Sequence, residues 1–137
     1  MAQRYYFIIP GEPVAMGRHR TTKTGHTYTP QKTRDAKAHI AHSVSRQFKS
    51  PPLGSPLRLT VIFYFPPSKE IQKKQPDGVR RGDIPVAKKP DLDNLIKTVG
   101  DALNGILWED DKLIVDVRAV KQYSLEPRIG LMVEVLQ

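Results

Sequence analysis

At 137 residues the chain is long enough for one domain with an ordinary core and too short for two. Its 22 Lys and Arg against 14 Asp and Glu leave a formal charge of +8, which favours an anionic partner, and the absence of cysteine excludes disulfides and thiolate metal sites. No apolar run approaches the roughly 20 residues that span a bilayer, and Met1 to Pro10 lacks a signal-peptide pattern. The sequence therefore reads as a cytoplasmic protein, with nucleic acid a better partner than a membrane, because no basic amphipathic helix with a bulky apolar face appears.

Tyr5 to Ile9 reads as a first strand, stopped by Pro10-Gly11-Glu12-Pro13. A basic loop from Met16 to Thr29 follows, with a turn at Thr24-Gly25. From Gln31 to Lys49, Ala36, Ile40, Val44 and Phe48 recur every four residues, the stripe of an amphipathic helix. His39 and His42 fall on its basic, solvated side. Pro51 and Pro52 prevent its continuation. Leu57, Leu59, Val61, Phe63 and Phe65 alternate as a strand with one buried face. Pro66 to Pro90 has several prolines and no apolar period, so it reads as a long basic loop within the domain, open to mobility without a ligand. A second helix carries Leu92, Leu95, Ile96, Val99 and Leu103, with Gly105 as its stop. Leu113 to Ala119 and Ile129 to Val135 alternate as two further strands, expected to pair as an antiparallel hairpin around Pro127. The order β-α-β-α-β-β predicts a single α/β (α+β) domain over residues 1–137: a small mixed sheet of about four strands with two or three helices packed on one face.

Against this basic background the acids concentrate at Asp91-Leu-Asp93-Asn94-Leu-Ile-Lys97 and at Trp108-Glu109-Asp110-Asp111. Residue 91 precedes the second helix in an extended stretch, so Asp91 and Asp93 can converge on one point. A short return past Trp108 would bring Asp110 or Asp111 beside them. Carboxylates that repel one another in this way are held together by a cation, and Mg2+ suits an all-oxygen site that also binds phosphate. Such an ion would activate water against a phosphodiester while Lys97 stabilises the developing charge. The bland alternative is that Asp91 or Asp93 only caps the helix and Asp110-Asp111 only makes a turn.

The cations cluster in residues 14–49, with eight Lys or Arg against the single acid Asp35, and in residues 66–90, with seven against three acids. Both segments read as DNA-contacting surfaces that grip phosphate without reading sequence. Within them the candidates are Arg18, Arg20, Lys23, Lys32, Arg80, Arg81, Lys88 and Lys89, with Tyr28 placed to stack on an unpaired base. Trp108 fits core packing better than a wedge into DNA.

The ordered motif Asp91-Leu-Asp93-Asn94-Leu-Ile-Lys97, Asp101-Ala-Leu, then Gly105 through Asp111, resembles the core of RusA-type Holliday junction resolvases. Gly11-Glu-Pro-Val14 and the stretch from Gly17 to Pro30 are similar to the Gram-positive and prophage branch of that family. The resemblance implies a homodimeric, Mg2+-dependent endonuclease, with Mn2+ as the substitute ion. Such enzymes act in DNA recombination and repair and cut four-way DNA junctions by paired symmetric incisions. It assigns catalysis to Asp91, Asp93, Lys97 and Asp111, and metal binding to Asp91, Asp93 and Asp111, with Asp110 the alternative to the last. It implies a bacterial or phage-encoded, nucleoid-associated protein with no small-molecule cofactor. Pro90 stands where some members carry an arginine, leaving Lys88 and Lys89 as the nearby cations. The alternatives are a nuclease of other branched DNA, such as flaps and forks, and a non-catalytic junction-binding protein.

Overall fold

The computed structural model describes residues 3–15, 20–28 and 30–136. Among these residues six strands and four helices follow one another as β1 (Arg4–Pro10), β2 (Arg20–Thr21), β3 (Thr27–Tyr28), α1 (Gln31–Gln47), β4 (Leu57–Phe65), α2 (Lys69–Lys74), α3 (Pro76–Arg81), α4 (Leu92–Ala102), β5 (Ile114–Tyr123) and β6 (Arg128–Val135). A short 3-10 turn at Asp111–Leu113 leads into β5.

The main sheet is mixed and ordered β1-β6-β4-β5. Alternation puts Phe7 and Ile9, Leu57 to Phe65 at every second position, and Ile129, Leu131 and Val133 on one face, all 5% exposed or less. The two long helices cover that face through Ile40 and Val44 of α1 and Leu95, Val99 and Ala102 of α4, all members of one continuous core. Trp108 is fully buried, and its indole N–H donates to the Gly100 carbonyl at 3.2 Å and the Asn104 amide oxygen at 3.1 Å, so it is a core residue. No helix among the described residues is long and apolar enough to cross a membrane.

The opposite face is open. It exposes Tyr6 and Ile8, and an ionic row crosses all four strands: Arg4 to Glu134 at 2.7 Å, Glu134 to Arg58 at 3.4 Å and Arg58 to Asp116 at 2.8 Å. These partners sit opposite one another in register, so a one-residue slip would turn each pair to opposite faces.

Two expectations are corrected. β5 and β6 do not pair as a hairpin. β4 lies between them, parallel to β5 and antiparallel to β6. The nine-residue β4 offers both edges, and the 124–127 connection crosses its end, where the Ser124 N–H donates to the Phe65 carbonyl at 2.9 Å. Nor is 66–90 one long loop, because it contains α2 and α3. Their prolines stand where helices tolerate them: Pro67 before the Ser68 cap, whose hydroxyl accepts from the Ile71 N–H, and Pro76 at the first position of α3. Gly82, at φ 71°, closes α3 in the left-handed region.

Candidate active site

Helix α4 organises the acidic motif. Asp91 occupies its N-cap with extended backbone, and its carbonyl accepts from the Leu95 N–H, but its carboxylate makes no capping bond. An aspartate in this position ordinarily accepts from the first helical N–H groups. Asp91, Asp93 and Lys97 are all exposed, and their side chains make no hydrogen bond or ion pair with other described residues. Asp93 and Lys97 are one turn apart on the solvent side, opposite the buried Leu95, Val99 and Ala102.

The second acidic pair is placed by the return from α4. Gly105, at φ 78°, turns the chain, and its N–H donates to the Trp108 carbonyl at 2.7 Å. Leu53 then clamps the next residues, donating to the Leu107 carbonyl at 2.8 Å and accepting from the Glu109 N–H at 2.9 Å. Asp110 uses its carboxylate locally, accepting from the Lys112 N–H at 2.9 Å, and this bond holds it below the usual carboxylate range. Asp111 instead packs against α4, its Oδ2 3.4 Å from where a Cβ on Gly100 would stand. Desolvation, then the neighbouring Asp110 and Asp101 carboxylates, push it upward.

Asp111 therefore lies on the Asp93-Lys97 side of α4 but two turns further along, since seven residues of helix separate Asp93 from Gly100 by about 10 Å. Among the described residues no three His, Cys, Asp or Glu side chains lie together as a metal-binding group. The donors are all hard oxygens, and the exposed Asp91 and Asp93 suit Mg2+, which commonly binds through one or two carboxylates plus substrate phosphate.

Two contacts escaped sequence reasoning. Lys121 projects from β5 beside the segment before α4, and its ammonium donates to the Pro90 carbonyl at 2.7 Å and the Lys88 carbonyl at 2.6 Å. It thereby fixes the peptide that carries Asp91. Asp101 pairs with Lys37 of α1 at 3.6 Å, which ties the acidic face to the first helix. The Asp101-Ala-Leu motif contained the acid but gave no sign of its partner.

Of the DNA candidates, Lys23, Lys32, Lys88 and Lys89 are exposed. Arg80 and Arg81 are also exposed but are engaged by Asp77 at 2.6 Å and Asp83 at 2.7 Å. Arg18 and the side chains of Arg20 and Tyr28 lie outside the described residues, although the backbone of 20–21 and 27–28 forms a small hairpin around Gly25, as the turn signal predicts. His39 contacts the Pro10 carbonyl at 2.5 Å, a structural use of a side chain on the basic helix face.

Residues 10–134 match the family described as Endodeoxyribonuclease RusA. The chain is also 35% identical over 132 residues to an uncharacterized Bacillus subtilis (strain 168) protein, YqaN, covering 93% of each.

Proposed function

Because the chain belongs to the RusA endodeoxyribonuclease family, we propose that it is a Mg2+-dependent resolvase that cuts four-way DNA junctions by paired symmetric incisions in recombination and repair. The observation that carries this reading is the exposed trio Asp91, Asp93 and Lys97, whose side chains are unpaired among the described residues. An aspartate kept at a helix start without capping it is available for another task.

In this reading Asp91 and Asp93 hold the ion together with a substrate phosphate, and Asp111 is the third carboxylate of the same helix face. When bound, Mg2+ supplies Lewis acidity toward the scissile phosphate and acidifies water. Lys97 stabilises the charge that develops as the water oxygen joins phosphorus and the leaving oxygen departs with a proton. Lys23, Lys32, Lys88 and Lys89 grip flanking phosphates, with Arg18, Arg20, Arg80 and Arg81 as further contacts. Resolution requires two cuts related by approximate twofold symmetry, so the protein acts as a homodimer. The open sheet face with Tyr6 and Ile8 supports such a pairing. The setting is the cytoplasm, at the nucleoid, and Mn2+ substitutes for Mg2+.

A labelled synthetic four-way junction, run beside linear duplex and flap controls with Mg2+ and with EDTA, tests this. Paired symmetric nicks confined to the junction and abolished by EDTA are expected. Cutting of flaps in preference to junctions would overturn the substrate assignment, and junction binding without cutting in either metal would overturn the enzyme reading.

A further inference from the structure

Beside the start of α4 lies a cavity of about 720 Å3 whose walls come from four separate segments: the turn after β1, the start of α1, the end of β4 and the Lys89-Pro90 step. We propose that this cavity receives one nucleobase, unstacked from the branched substrate next to the scissile phosphate. We further propose that Glu12 selects a base with an exocyclic amino group. The inference rests on the nuclease reading and adds to it a site of base discrimination.

The composition of the walls argues for this occupant. Phe65, Val14 and Pro90 provide apolar surface of the kind that receives the face of a base, and the volume falls within the roughly 300–1,000 Å3 of small-ligand sites. Lys32 and Lys89 line the same cavity, two cations where the phosphates flanking an extruded nucleotide would run. Both are exposed and without a salt-bridge partner among the described residues. Among the described residues Glu12 is the acid lining the cavity, and a carboxylate accepts from the amino group of cytosine, adenine or guanine, whereas thymine's one donor, its ring N–H, sits between two carbonyl oxygens that repel a carboxylate. Pro90 joins the cavity directly to Asp91, so a base held there belongs to a nucleotide adjacent to the bond being cut. A branch point supplies such a base at reduced cost, because stacking is already interrupted there.

The experiment uses the full chain and two variants, Glu12→Ala and Val14→Trp, the first altering an exposed side chain and the second placing an indole against the apolar wall where the base would lie. Four-way junctions carrying each of the four bases beside the cut are cleaved in Mg2+. A second set carries 2-aminopurine at that position and is read by fluorescence in Ca2+. With wild type, thymine junctions are expected to be cut at least about tenfold more slowly than those carrying cytosine, adenine or guanine, the size of one lost base contact. Fluorescence should rise on binding. Glu12→Ala should erase the thymine penalty with junction affinity kept, and Val14→Trp should abolish the fluorescence rise. Equal cutting of all four bases by wild type, a penalty that survives Glu12→Ala, or a fluorescence rise that survives Val14→Trp would overturn the proposal while leaving the nuclease reading intact. Failure of wild type to bind branched DNA at all would overturn that reading and this one with it.

Discussion

Replacing Lys121 by Met removes an ammonium that holds two backbone carbonyls and leaves a stem of similar length in place. Hydrogen bonds from a charged donor contribute about 1.5–3 kcal/mol each where water is excluded. Lys121 is only half-buried and water can reach the released Lys88 and Pro90 carbonyls, so the pair together is worth about 2 kcal/mol rather than the sum. For a domain of this size that lowers Tm by roughly 7 °C. The effect on cleavage should be larger than the effect on folding. The Pro90 carbonyl belongs to the peptide leading into Asp91, and a misplacement of about 1 Å in a reacting group can cost about 100-fold in rate. Single-turnover cleavage of a four-way junction in Mg2+, measured well below the variant's Tm, should fall by about that factor with junction affinity in Ca2+ unchanged. Lys121→Arg, which keeps a cation beside the carbonyls, should recover part of the rate. Wild-type cleavage by Lys121→Met would refute the reasoning, showing that Asp91 either is not positioned from β5 or takes no part in the reaction.

The raised Asp111 predicts a pH signature. Between the usual carboxylate range and its own higher pKa, the folded chain holds a proton that the unfolded chain has lost, so its contribution makes stability fall as pH rises through that window. In metal-free buffer Asp111→Asn should melt above wild type at neutral pH, with the difference vanishing below the ordinary carboxylate range, and Mg2+ should raise the wild-type Tm more than the variant's. An Asp111→Asn protein that melts below wild type at neutral pH would contradict the assigned repulsion. Trp108→Phe keeps the buried ring but loses the N–H that serves Gly100 and Asn104, at a cost of about 1–3 kcal/mol by denaturant melts, with junction cleavage intact at low temperature. Neutralising Lys88 and Lys89 together should lower the slope of log affinity against log salt by about two, whereas neutralising Arg80 and Arg81, already held by Asp77 and Asp83, should lower it by less than about one. Equal slopes for the two double variants would show that those ion pairs open on DNA.

Strong periodicity was readable in advance. The stripe of α1 with Ile40 and Val44, the alternation of β4 and the apolar side of α4 all lie where their spacing puts them, because each has enough residues to establish a period. Alternation in β5 and β6 said that each is a strand but nothing about its neighbour. A four-residue connection can turn back beside its own strand or step over the end of β4, and the long β4, with two edges to fill, takes the second course. The six-residue helices α2 and α3 are too short to show a stripe, and their signals were the cap at Ser68 and the glycine at position 82. In the site, residue types were legible and distances were not. The location of Asp111 depends on how residues 103–110 return along α4. Lys121 acts through main-chain carbonyls about thirty residues away, an interaction that leaves no trace in a motif.

The central claim is that the acids at the start of α4 perform chemistry instead of merely beginning a helix. Asp93→Asn, assayed for both binding and cleavage on one four-way junction, tests it most directly. The account predicts wild-type affinity and Tm with cleavage lowered by at least about 100-fold. An Asp93→Asn protein that cuts the junction at the wild-type rate would contradict it.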